Sequence, residues 1–259
     1  MEPRRADLLD EALGMGGGDE WPVRGKTVIV TDRVETSGAF LLHHLLKRAL
    51  LSRTDSVVVF LAFARPLSHY DRVLRKLGCN LITQRESKRF FYFDLLNSNF
   101  SDGSGDGNVE RGLAAMYEKL HKLLYSLPDP ARNHATIMLD DISVMEVAAN
   151  GSSEHILDFL HYCHTLTTEL GCSLVTLDHE DVYASMERPT FLLQMDYLAD
   201  ILIKVEPLAT GLADDVHGQL TVLNRGIISR EGSLESKISN FHFKVKENNT
   251  EYFYPGSRT

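Results

Sequence analysis

KTVIVTD at Lys26–Asp32, RVETS at residues 33–37 and GAFLLHHLLKRALL at Gly38–Leu51 are the stretch that decides the fold. The first segment is short, apolar and rich in β-branched residues, which predicts a buried strand. The last carries its leucines at helical spacing, which predicts a helix with one core-facing side. Strand, turn and helix in this order are how G-x-x-x-x-G-K-[ST] is built, with backbone N–H groups and a lysine holding phosphate. Laid on that pattern, Gly38 takes the second glycine's place. Arg33 falls where the first glycine belongs, Ala39 where the lysine belongs and Phe40 where the magnesium-binding hydroxyl belongs. The frame of a phosphate slot is kept and its chemistry is absent.

Working outward, DSVVVFLAF at Asp55–Phe63 is a continuous apolar run, typical of a parallel strand covered on both faces. Leu67–Gly78 has helical spacing through Tyr70, Val73, Leu74 and Leu77. Leu81–Thr83 and Phe90–Leu95 read as shorter strands, Ser101–Asn108 as a flexible loop, and Val109–Leu127 as a helix stopped by Pro128 and Pro130. Ala135–Asp140 and Cys172–Asp178 are two more buried strands, with a helix over Ser153–Leu170 between them. This rhythm predicts an α/β fold, a mostly parallel sheet with helices on both faces. Asp200–Val205, Gly218–Asn224, Phe241–Lys246 and Glu251–Tyr254 predict antiparallel strands added at the C-terminal edge. Residues 1–20 read as a mobile arm or docking helix, and residues 21–259 as a single domain.

The 259 residues are 43% hydrophobic and 24% charged, the composition of a globular protein. No apolar run approaches the roughly 18 residues of a membrane span, and the N-terminus has no apolar signal region, so neither a membrane nor export is expected. Cys79, Cys163 and Cys172 form no spaced pair and suit a reducing compartment. A net charge of −9 argues against tight, independent nucleic-acid binding, since that affinity comes from neutralising phosphates.

Asp140 ends an apolar strand, as does the acidic residue that helps hold magnesium in phosphate-loop enzymes. Without a lysine or a hydroxyl in the slot, the plainer reading is a solvated strand end. Glu35 in the turn has the chemistry of a carboxylate that faces a neighbouring subunit's nucleotide. His155, His161, His164 and Cys163 share a helix, but Cys163 belongs with Ile156, Leu160 and Leu170 on its core side, and no second cluster completes a metal site. There is no G-x-S-x-G elbow, and Asp178-His179 lack a nucleophile. Arg85, Lys88 and Arg89, close to Arg72, Arg75 and Lys76 and followed by Phe90, Phe91 and Tyr92, have the mix of cations and aromatics that contacts RNA. The alternative for them is a solvated helix face followed by a half-buried strand.

Three sets of residues carry a resemblance beyond the fold. They are Leu67-Ser-His-Tyr70 running to Lys76-Leu-Gly78, Leu139-Asp-Asp-Ile-Ser143 followed by Leu157-Asp-Phe-Leu-His-Tyr-Cys163, and Leu208-Ala-Thr-Gly211 with Asp215-Val-His-Gly-Gln-Leu220. In order and spacing they resemble the Elongator complex protein 6 family. The resemblance implies a RecA-like subunit without a working phosphate loop and without catalysis of its own. It implies a hexameric ring with Elongator complex proteins 4 and 5, docked on the catalytic Elongator subunits in cytoplasm and nucleus. That ring would bind tRNA and support 5-position modification of the wobble uridine, with no cofactor in this chain and ATP at subunit boundaries. No catalytic residue carries over, because Ala39 stands where the lysine would be. In such rings the loops after the central strands face the channel, which makes Ile142–Ser152 and His179–Pro189, with Arg188, candidate tRNA contacts. Two rivals remain: an ATPase with a degenerate phosphate loop that uses Asp140 and a backbone nest, and a protein scaffold that touches no RNA.

Overall fold

The computed structural model describes residues 8–14, 21, 23–97, 106–183, 190–211, 213, 215–228 and 234–256. Nine strands form one sheet: β1 (Thr27–Asp32), β2 (Val57–Ala62), β3 (Phe90–Asp94), β4 (Ala135–Leu139), β5 (Ser173–His179), β6 (Ile201–Glu206), β7 (Gly218–Ile228), β8 (Leu234–Val245) and β9 (Thr250–Phe253). Their spatial order is β3-β2-β4-β5-β1-β6-β7-β8-β9. Pairings from β3 through to β6 are parallel and those from β6 to β9 antiparallel. This is the predicted RecA-like arrangement, late strands included.

Helices α1 (Leu8–Leu13), α2 (Ala39–Leu51), α3 (Leu67–Lys76), α4 (Leu81–Glu86), α5 (Asp106–Ser126), α6 (Asp129–Asn133), α7 (Ile142–Ala148), α8 (Ser153–Leu170) and α9 (Thr190–Leu198) complete the described structure. The apolar runs are explained by burial on both faces. On β2, Val57, Val59 and Leu61 join the core under α5 and α8, while Val58, Phe60 and Ala62 join the core under α2 and α3. Such alternation leaves no polar side to the strand. The parallel strands all end at one edge of the sheet, and β5 sits between β1 and β4. The ends of these three strands therefore meet where the phosphate slot was expected.

Leu81–Thr83, expected as a strand, instead opens α4. The Asn80 side chain accepts hydrogen bonds from the Ile82 and Thr83 backbone N–H groups at 3.0 and 3.3 Å, and this N-cap outweighs the β-propensity of three residues. Ile142–Ser152, expected as a channel loop, is mostly α7, because the Asp141 carboxylate caps it through the Val144 N–H at 2.8 Å. Ser101–Gly105 of the expected flexible loop lie outside the described residues, and α5 begins at Asp106. The short helix α1 packs Leu9, Ala12 and Leu13 into the core under the C-terminal strands, and Asn224 donates to the Ala12 carbonyl at 3.2 Å.

Candidate functional site

The segment after β1 closes on itself. Arg33 and Thr36 form an antiparallel bridge, with the Thr36 N–H donating to the Arg33 carbonyl at 2.9 Å. A phosphate loop must wrap its ligand with outward N–H groups; this turn is too tight to do so. The anion position at the start of α2 is also taken. Asp32, 1% exposed, accepts the Gly38 N–H on its Oδ2 at 2.6 Å, and the Ser37 hydroxyl oxygen accepts the Ala39 N–H at 3.2 Å. The chain's own carboxylate thus stands where phosphate would meet the helix N-terminus.

The slot is also filled sterically. A Cβ on Gly38 would lie 3.2 Å from both Val30 and Val205 side chains, so a larger residue here would require those neighbours to shift. Phe40, half-buried, stacks on Phe243 of β8 with ring centroids 4.7 Å apart. At Gly218 of β7 a Cβ would meet Thr36 and Phe243 at 2.9 Å and the Glu206 carbonyl at 2.7 Å. The added antiparallel strands pack against the turn and the start of α2.

At the centre of the strand ends, His179 bridges two carboxylates. Its Nδ1 bonds Asp32 Oδ1, and its Nε2 bonds Asp141 Oδ2 at 3.1 Å. Hydrogen bonding to Asp141 and then to Asp32 outweighs burial and raises the imidazole to about 10, so both ring nitrogens are donors at neutral pH. Around this clamp, Glu180 holds Lys204 at 3.1 Å and Arg33 at 3.4 Å, and Asp181 accepts the Val34 N–H at 3.1 Å. Glu206 approaches Arg33 at 3.8 Å. Five carboxylates surround three cations, each already paired. Negative charge outnumbers positive at this site.

Asp140 lies apart from this cluster, at the end of β4. Its Oδ1 accepts the Phe63 N–H at 2.6 Å, and its Oδ2 accepts the N–H groups of Ala64 and Arg65 at 3.0 and 3.4 Å and the Tyr70 hydroxyl at 2.5 Å. Burial, assisted by nearby Asp141, holds its carboxyl above the usual range even against these donors. Asp140 pins the β2–α3 connection. Glu35 is exposed at the turn.

Of the basic trio, Arg85 and Lys88 are exposed. Arg89 instead turns inward, donating to the backbone carbonyls of Ser56 (3.1 Å), Leu50 and Arg53. Phe90 is 1% exposed, and Phe91 and Tyr92 are half-buried. Arg188 and most of the His179–Pro189 segment lie outside the described residues; His179 ends β5 and Glu180–Tyr183 form a 3-10 turn. The helix histidines diverge. His164 pairs with the Thr27 hydroxyl at 2.8 Å, His161 is exposed, and His155 reaches Ser152. Among the described residues, no group of three or more His, Cys, Asp or Glu side chains is placed to hold a metal ion, and no helix is long and apolar enough to cross a membrane.

Asp32 and Asp141 were given no role from the sequence, and His179 and Glu180 entered as candidate contacts only at the start of the His179–Pro189 segment. Their one signal is that three apolar strands end alike, in Thr31-Asp32, Asp140-Asp141 and Asp178-His179. The rim also exposes aliphatic side chains on the segments that follow these strands: Val34 at 82%, Val147 at 77% and Val182 at 57%. Apolar surface beside a filled slot is suited to packing against protein.

Comparison with known proteins bears on this geometry. The family described as Elongation complex protein 6 matches residues 9–247. Elongator complex protein 6 of Homo sapiens is 29% identical, and that of Mus musculus 28% identical, each alignment covering 90% of this chain and 91% of the relative. Elongator complex protein 6 of Dictyostelium discoideum is 22% identical over the same shares.

Proposed function

The chain belongs to the Elongator complex protein 6 family, and from that premise we propose that it is a non-catalytic ring subunit. It assembles with Elongator complex proteins 4 and 5 into a hexamer that docks on the catalytic Elongator subunits in cytoplasm and nucleus. The ring binds tRNA and supports 5-position modification of the wobble uridine. ATP acts, where it acts, at subunit boundaries of the ring and not in this chain's own slot.

The observation that carries the non-catalytic reading is Asp32 on the Gly38 N–H, the group a bound phosphate would need. Phe40 stacked on Phe243 occupies the place of the metal-binding hydroxyl. The rival that uses Asp140 as a magnesium ligand loses support, since both its oxygens serve the Phe63–Arg65 backbone and Tyr70. Restoring the consensus with Ala39→Lys and Phe40→Thr is expected to leave ATP turnover at background in a phosphate-release assay, because the carboxylate plug remains. Turnover in that variant would overturn the reading.

The exposed valines support a subunit boundary at the slot rim. Val34→Glu with Val147→Glu is expected to leave the isolated chain's stability within about 0.5 kcal/mol while abolishing co-purification with Elongator complex proteins 4 and 5. Recovery of the complex at the unmodified level would remove the rim from the boundary. Arg85→Glu with Lys88→Glu in the assembled ring tests tRNA contact. Weaker binding with a shallower salt dependence is expected, and unchanged affinity would favour a scaffold without RNA contact.

A further inference from the structure

We propose that the groove between α8 and α9 is a docking site for a basic amphipathic helix of a partner protein. The groove encloses about 540 Å³ and is lined on the α8 side by Glu154, Leu157, Asp158 and His161 and on the α9 side by Phe191 and Gln194. Its apolar lining residues are Leu157, 8% exposed, and Phe191, 5% exposed, and the rest of the lining is polar. α8 packs into the core on the sheet face opposite α2, so the groove is separate from the slot under α2.

Charge identifies the occupant. Glu154 and Asp158 stand one helical turn apart on the exposed side of α8, and no lysine or arginine occurs anywhere in α8 or α9. The remaining carboxylate of α9, Asp196, is held by Arg225 at 2.8 Å, which leaves Glu154 and Asp158 as the charges facing a ligand. Elsewhere on α9, Leu193 is 54% exposed and Tyr197 89%. Apolar lining residues with an acidic rim fit a helix whose leucines enter the groove and whose lysines meet the carboxylates. Nucleic acid is disfavoured, since no lysine or arginine is among the described residues that line the groove. A second copy of this chain is disfavoured by its net charge of −9 and the same acidic rim.

The test uses the purified full chain and two labelled helical peptides of roughly 15 residues, with leucines at i, i+3, i+4 and i+7 and either lysine or glutamate at the flanking positions. In fluorescence anisotropy the lysine peptide is expected to bind and the glutamate peptide not. Glu154→Lys with Asp158→Lys should weaken the lysine peptide by about tenfold or more and admit the glutamate peptide. Both positions are exposed, so an unchanged thermal midpoint will show that the variant folds. Failure of the lysine peptide to bind, or equal binding by native and charge-reversed chains, would overturn the proposal.

Discussion

Asp140→Ala is expected to lower the stability of the folded chain by about 3–5 kcal/mol, among the largest effects open to a single substitution here. The carboxylate is 3% exposed and accepts three backbone N–H groups and the Tyr70 hydroxyl. Alanine would leave those donors without their acceptor. Tyr70 is itself held in the core, its hydroxyl pushed well above its ordinary range by burial and then by Asp140. Asp140→Asn retains one acceptor oxygen and should cost less, about 1–2 kcal/mol. Urea unfolding monitored by circular dichroism separates the two. A midpoint for Asp140→Ala within about 1 kcal/mol of the native chain would sink this account. The consequence for function is direct: loss of activity in an Asp140 variant of the complex would report loss of fold and not loss of a magnesium ligand.

The second large effect belongs to His179. Replacing it with glutamine is expected to cost about 2–3 kcal/mol near neutral pH. The full shift corresponds to more, but the side chain is 32% exposed and solvent screens its pairs. The pH dependence has a definite sign. The folded-state value is raised to about 10 from an ordinary 6.5, so the folded chain holds the proton more tightly than the unfolded chain. The contribution is complete below about pH 6.5 and is lost as pH rises through about 10, at up to about 1.4 kcal/mol per pH unit. Stability of the native chain minus that of His179→Gln, measured from pH 6 to 10, should shrink steadily. A constant difference would mean that the imidazole is not protonated between Asp32 and Asp141.

Much of the fold was legible in the sequence because its signals are local. The run Val57–Ala62 is apolar throughout and Ala135–Leu139 is apolar but for Thr136, as strands covered on both faces are. Where local signals conflicted, the shortest one failed. Leu81–Thr83 has the composition of a strand, yet the Asn80 cap made it the start of a helix. The cations at residues 85–89 look equivalent in sequence, and only packing separates Arg89, bound to three carbonyls, from exposed Arg85 and Lys88.

The sequence alone determined that a phosphate-slot frame persists without its lysine and hydroxyl, because that frame is contiguous along the chain at Arg33–Phe40. Tertiary structure decided what fills the slot. His179 is 147 residues from Asp32 and 38 from Asp141, and Phe243 meets Phe40 across most of the chain. Those groups converge only because parallel pairing brings the ends of β1, β4 and β5 to one edge and the late strands fold back over it. A sequence records each side chain, but the register of the sheet sets which charges meet.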